Sequence, residues 1–238
     1  MEVVNGGIVT RSSARAKQLC DIVARFSNAC ELSAEQVSTK LAAVLIALFQ
    51  DSSGDIRVWL NERSKSVSTH KGEVCLPGGR KDKDDTDEIH TALREAHEEI
   101  GLPPEDVNVI GKFRPILSKH HLSVTPVISL VSKEFQPMLN VEEVSAAFHI
   151  PLKSFLVEKN HFHEDMEWND FKYRLHFFEH EGFRIWGLTA TILIQVAKIA
   201  FDTAPEFDEF GPGGNYWDVC SEGGQMLIRS QNEKTPSL

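Results

Sequence analysis

A disulfide framework, a basic surplus and a long apolar run are all missing from this 238-residue chain. Its four cysteines (Cys20, Cys30, Cys75 and Cys220) are scattered and form no CxxC pair, which reads as free thiols in a reducing compartment. Twenty-five Lys and Arg against 35 Asp and Glu give a formal charge of −10, which argues against non-specific binding to nucleic acid or anionic membrane. No apolar run approaches the roughly 20 residues needed to span a bilayer. The first residues hold neither an apolar core nor a small-residue cleavage site. Their Arg and Ser content is that of a weak transit peptide, but Arg15, Leu19, Ile22 and Phe26 fit a helix better. The final Pro236-Ser237-Leu238 is not a peroxisomal Ser-Lys-Leu signal. A soluble, cytoplasmic protein is expected, with organelle targeting by the N-terminus left open. Repeats and low-complexity tracts are absent too.

What is present is an ordinary globular composition, 41% hydrophobic and 25% charged, long enough for one large domain with a sizeable core. A helix capped by Ser12 or Ser13 is expected to run to about Asn28, and Ser33 is a candidate cap for a further helical turn. Residues 42–49 and 56–60 read as a hairpin across a Ser-Gly-Asp turn, and residues 71–79 as a loop. Residues 86–100 are strongly helical and stop at Gly101. Residues 107–117 and 122–131 form a second strand pair around Lys119-His120-His121. Residues 173–178 and 183–186 form a third hairpin, and 189–201 a buried helix. Hairpins on either side of one acidic helix imply a single α/β domain with a mixed sheet. The expected layout is an N-terminal helical extension over 1–35, a catalytic domain over 36–210, and a Gly-rich loop and tail over 211–238.

The chemistry concentrates in residues 72–102. On a helical wheel Ile89, Leu93, Ala96 and Ile100 share an apolar stripe, and Glu88, Glu95 and Glu99 line up beside it with Glu98 adjacent. Like charges one turn apart cost a few tenths of a kcal/mol per pair, a repulsion that a hard divalent cation with oxygen ligands would offset. The alternative is a solvated acidic face with Arg94 as an ordinary ion-pair partner. Pro77-Gly78-Gly79 weighs against it, because its backbone can approach a ligand closely. An acidic protein acting on an anionic substrate also needs local positive charge, which a metal supplies.

The run Arg94-Glu95-Ala96-His97-Glu98-Glu99-Ile100-Gly101-Leu102 resembles the R-E-U-x-E-E-x-G-U core of the Nudix hydrolases, U being aliphatic. The upstream part departs from the family pattern: Thr86 stands at the usual Glu and Arg80 at the usual Gly. Starting from Gly79 instead adds one loop residue and leaves Asp85 or Asp87 as the replacement acid. Residues 60–64 (Leu-Asn-Glu-Arg-Ser), followed by 70–79 (His-Lys-Gly-Glu-Val-Cys-Leu-Pro-Gly-Gly), are similar to the L-T-x-R-S … H-x-G-x-V-x-F-P-G-G signature of the coenzyme A diphosphatases. Asn61 replaces Thr, Ser68 an Arg, and Leu76 a Phe. The resemblance spans about residues 42–206.

It implies the Nudix fold, a mixed β-sheet sandwiched between α-helices, with Mg²⁺ or Mn²⁺ on the acidic helix. It implies cleavage of coenzyme A or acyl-CoA to 3′,5′-ADP and a phosphopantetheine product. NADH, ADP-ribose or another nucleoside diphosphate derivative is the alternative substrate, and a non-catalytic nucleotide-binding module the alternative class. Glu95 and Glu99 are the expected metal ligands, and Glu98 a second-ion ligand or acceptor of the water's proton. Arg94 is expected to lock the carboxylates. Arg63, Gly78, Gly79 and Arg80 are the candidate substrate contacts. The expected partner is a small molecule, neither nucleic acid nor membrane, with a homodimer left open. Glu142 and Glu143 suggest either a loop-borne base or, more simply, carboxylates at a helix start near Val144. His161, His163, His176 and His180 lack the cysteines of a zinc site. Cys75 reads as a small apolar residue, and Trp217 as an aromatic available for stacking on adenine.

Overall fold

The computed structural model describes residues 11–30, 38–66, 71–118, 122–131, 135–168 and 171–209. Ser33, Ser68, His70, the 119–121 turn, Trp217, Cys220 and the tail over 211–238 therefore lie outside the described residues. In chain order the elements begin with α1 (Arg11–Ala29), β1 (Leu41–Gln50), β2 (Ile56–Arg63), β3 (Val74–Cys75), β4 (Gly78–Arg80) and α2 (Glu88–Ile100). Next come β5 (Val107–Lys112), β6 (Ile116–Leu117), β7 (Ser123–Val131) and β8 (Val144–Pro151). The last are β9 (His161–Trp168), β10 (Phe171–His180), β11 (Phe183–Trp186) and α3 (Gly187–Phe201).

The sheet is mixed, as the hairpins require. β1 and β2 are antiparallel, with Gln50 opposite Ile56, while β1 and β7 run parallel from Leu41 opposite Ser123 to Leu48 opposite Leu130. Parallel neighbours need a long crossover, and α2 lies within it. β1 separates the two cores because successive side chains point to opposite faces. Ile46 and Leu48 pack with Ile22 and Phe26 of α1 and with the apolar side chains of α3. Ala43, Leu45, Ala47 and Phe49 pack with Ala92, Ala96 and Ile100 of α2. Helices thus cover both faces, so β1 reads as a continuous apolar run rather than an alternating one. A smaller antiparallel sheet, in the order β11-β10-β9, leads into α3.

Several local readings change. The segment expected as a loop over 71–79 carries β3 and the start of β4, because β2 and β1 offer it free backbone groups: Asn61 pairs with Cys75, and Ala43 with Gly79. Helix α2 starts at Glu88 rather than Thr86, since the Asp87 carboxylate accepts the His90 N–H at 2.8 Å and caps it. Ser12 and Ser13 fall inside the first turn of α1, which runs from Arg11. Val144 opens a strand paired with β2, so no helix starts beside Glu142 and Glu143. β9 escapes sequence reading because residues 162–167 are exposed on both faces and show no apolar alternation.

Candidate active site

Three local features bring the site together. β2 supplies Asn61 and Arg63, the turn between β3 and β4 supplies Gly78 and Gly79, and α2 supplies the carboxylates. Glu99 sits on the buried side of α2, 1% exposed. Its Oε2 accepts the Gly78 N–H at 3.0 Å and the Asn61 Nδ2–H at 2.9 Å, and its Oε1 lies 3.5 Å from Arg63 Nη1. Burial pushes the Glu99 carboxyl up to about 7, against the pull of these donors and with a further push from Glu95. Glu95 is likewise raised, first by burial and then by Glu98 and Glu143, with Arg94 opposing.

Arg94 organises the outer part of the helix. Its Nε and Nη2 bind the two Asp85 oxygens, each at 2.9 Å, in a bidentate pair. The same guanidinium reaches Glu98 at 3.0 Å, Glu95 at 3.1 Å and the Arg80 carbonyl at 3.1 Å. Arg94 therefore ties helix to loop rather than facing a ligand. The guanidinium hydrogen bond holds the buried Asp85 well below the usual carboxylate range. Of the two candidate acids, Asp85 is the one that pairs with Arg94, while Asp87 is occupied as a cap.

Gly78 is sterically required, and Gly79 leaves room for a neighbouring side chain. A Cβ on Gly78 would collide with the Ala43 carbonyl and come within 2.6 Å of Val44 Cα. A Cβ on Gly79 would fill the space held by the Glu95 carboxylate, 2.6 Å from its Oε2. The structure thus brings Glu95, Glu99, Arg63, Gly78 and Gly79 together. Glu98 stands at the margin, its side chain 50% exposed and paired with Arg94. The Arg80 side chain is exposed, and only its carbonyl reaches the cluster. Glu88 leaves the carboxylate line to pair with Lys112 at 2.8 Å. His161 Nε2 and His176 Nδ1 lie 2.9 Å apart, and the other His176 nitrogen faces the Glu209 carbonyl at 3.1 Å.

Asn61 is assigned no role by sequence reading, and Glu143 only that of a candidate loop-borne base. Asn61 is fully buried, and the signal that marks it is an amide directly after the apolar run that ends at Leu60. Glu143 is placed by its own backbone: its carbonyl accepts the Ser64 N–H at 2.7 Å, and its Oε1 the Asn140 amide at 3.1 Å.

The donor set fits a hard divalent cation. The side chains are carboxylates, Gly79 keeps space clear against Glu95, and Glu99 is buried with its ordinary acidity suppressed by desolvation, a cost that an adjacent cation offsets. Among the described residues no three acidic, His or Cys side chains converge as a finished ligand set, because Arg94 holds Glu95 and Glu98. Arg63 Nε is buried with no hydrogen-bond partner, a donor left over for an incoming oxygen.

Fold and site together define an α/β protein that gathers carboxylates on one helix beside a glycine turn. The chain belongs to the Nudix family: residues 39–169, over half its length, match the NUDIX domain. It is 45% identical over 188 residues to Nudix hydrolase 15, mitochondrial, of Arabidopsis thaliana, covering 76% of this chain and 66% of that protein. It is 44% identical over 183 residues to Nudix hydrolase 22, chloroplastic, of the same plant, covering 74% and 61%. The chain thus spans just under two thirds of the length of these two relatives. It is 30% identical over 212 residues to the mouse (Mus musculus) peroxisomal coenzyme A diphosphatase NUDT7, covering 87% and 86%. Among the described residues no helix is long and apolar enough to cross a membrane.

Proposed function

We propose that this chain hydrolyses the diphosphate bond of coenzyme A or acyl-CoA, yielding 3′,5′-ADP and 4′-phosphopantetheine or its acyl form, with Mg²⁺ or Mn²⁺. The observation that carries this reading is the meeting of Arg63 and Gly78 on Glu99. The two segments that resemble the coenzyme A diphosphatase signature thereby close on the acidic helix. The name of the mouse relative points the same way.

Glu95 and Glu99 would hold the cation, and Glu98 would join them by leaving Arg94. The cation supplies neutralisation of diphosphate charge and a lowered pKa for water. The remaining steps belong to the chain. Gly78 and Gly79 let the diphosphate approach the backbone, and Arg63 presents its unpartnered Nε–H to a phosphate oxygen. Arg94 stays on Asp85 and keeps α2 in place. A proton from water passes to Glu98, or to Glu143, whose charge is felt at Glu95.

We propose a cytoplasmic location, with organelle targeting by the N-terminus as the alternative, and a small-molecule substrate, with neither nucleic acid nor membrane as partner. Imaging of the tagged chain checks the compartment, and light scattering tests for a homodimer. The activity is tested by incubating the protein and Mg²⁺ or Mn²⁺ with coenzyme A, acetyl-CoA, NADH and ADP-ribose and identifying products by mass. Release of 3′,5′-ADP at the highest kcat/KM supports the reading. Faster cleavage of NADH or ADP-ribose overturns the substrate, and binding without turnover overturns the enzyme.

A further inference from the structure

The Glu99 carboxylate is held by an amide, and an amide has two nearly isosteric ends. Asn61 supports Glu99 only when its Nδ2 faces Oε2, as it does at 2.9 Å. Rotated by half a turn, it would set Oδ1 against the Oε2 of the ionised carboxylate, two acceptors with no proton between them. The opposite end of the amide is also occupied. Cys75 is the cross-strand partner of Asn61, and its Sγ lies 3.0 Å from Asn61 Oδ1. Burial pushes the Cys75 thiol up to about 12, so it carries its proton at neutral pH and donates it.

We propose that Cys75 is a positioning residue that fixes the Asn61 amide and, through its bond to Oε2, the orientation of the Glu99 carboxylate, whose other oxygen is the one available to the cation site. The connection runs from the Cys75 S–H to Asn61 Oδ1 and from Asn61 Nδ2–H to Glu99 Oε2. The Gly78 N–H binds the same Glu99 oxygen, so Oε2 is committed to protein donors. Oε1 is held only by its long 3.5 Å ion pair with Arg63, and it is the oxygen that would turn toward a cation. The signature quoted above has Thr where this chain has Asn61. A hydroxyl donates and accepts through one freely rotating atom and needs no partner to choose its orientation, whereas an amide does.

The inference rests on Glu99 as a metal ligand, and the test separates the two claims. Mn²⁺ is titrated calorimetrically into the substrate-free protein for the wild type, C75A, C75V, C75S, N61T and N61T/C75A, with kcat and KM on coenzyme A measured alongside. Removing a group that directly supports a metal ligand costs about 10–100-fold in affinity. One bond further out, C75A and C75V are expected to weaken Mn²⁺ binding roughly 3–10-fold and to lower kcat with KM nearly constant. C75S, which keeps a donor, should return to within about threefold of wild type. In the N61T background C75A should cost less than about twofold, which a packing role for Cys75 does not predict. Unchanged Mn²⁺ affinity in both C75A and C75V overturns the proposal, as does C75S binding as weakly as C75A, or an equal loss in the N61T background. A wild-type protein that binds no Mn²⁺ overturns the metal-ligand reading itself, and this proposal with it. C75V preserves side-chain bulk should C75A fail to fold.

Discussion

Replacing Glu99 with Gln changes one oxygen for one amide nitrogen and separates chemistry from stability. Gln Oε1 can take the place of Oε2 and keep the Gly78 and Asn61 hydrogen bonds. Its Nε2 then faces Arg63, donor against donor, across the 3.5 Å now spanned by the ion pair, at a pH-independent cost on the order of 1 kcal/mol. The compensating gain depends on pH. The Glu99 carboxyl is raised by burial from 4.5 to about 7 in the folded, metal-free chain. The folded state therefore binds its proton more tightly than the unfolded chain does. Stability associated with this group is full below pH 4.5, falls between 4.5 and 7, and remains reduced above 7.

At ~1.4 kcal/mol per unit the loss is on the order of 3 kcal/mol, as an upper bound, and Gln at this position does not suffer it. For a domain of this size each kcal/mol moves Tm by about 2–4 °C. The assay is thermal unfolding of both proteins in EDTA from pH 5 to pH 8. The Tm of E99Q relative to wild type should rise across that range by several degrees, to roughly 6 °C or more. With Mg²⁺ and substrate, kcat of E99Q should fall more than ~10-fold. A Tm difference that stays flat from pH 5 to pH 8 refutes the buried, uncompensated carboxylate. A kcat above about a tenth of wild type refutes its role as a metal ligand.

Asp85→Asn should destabilise the chain by about 2–3 kcal/mol at neutral pH in urea unfolding, because it leaves the Arg94 fork half-paired. The folded Asp85 carboxyl titrates below its ordinary 3.8, so this stability is present above pH 3.8 and lost as the pH falls through the lower folded value. The gap between variant and wild type should therefore narrow below pH 4, and a constant gap counts against the pair. Gly79→Ala should displace the Glu95 carboxylate and lower kcat at least ~10-fold with near-native circular dichroism; full activity would show that the turn has slack. Coenzyme A should be preferred over 3′-dephospho-coenzyme A by tenfold to over a hundredfold in kcat/KM, since a charge-assisted contact from Arg63 or Arg80 is worth roughly 1.5–3 kcal/mol. Equal rates on both compounds remove the 3′-phosphate argument.

The acidic helix was legible from local rules alone. Its apolar spacing, the Gly101 stop and the glutamates one turn apart are properties of a short stretch of chain, and the β1–β2 hairpin is announced by its turn. The α/β class and the mixed sheet follow from the order of such elements. Local rules do not distinguish the glutamates from one another. Glu88, Glu95 and Glu99 lie on one line of the wheel, yet Lys112 takes the first, Arg94 restrains the second, and burial against β2 and the Gly78 turn makes the third costly to ionise. The partners of Glu88 and Glu99 come from other elements up to 38 residues away in sequence, so no helical periodicity encodes them. The choice of Asp85 over Asp87 was likewise decided in three dimensions, where one carboxylate meets a guanidinium and the other meets a helix end. Residue order gives the apolar run over 56–60 but not that the strand continues through Asn61 to Arg63. That the Asn61 amide would lie between a thiol and a carboxylate depended on the cross-strand register of β2 with β3 and on the packing of α2 above them.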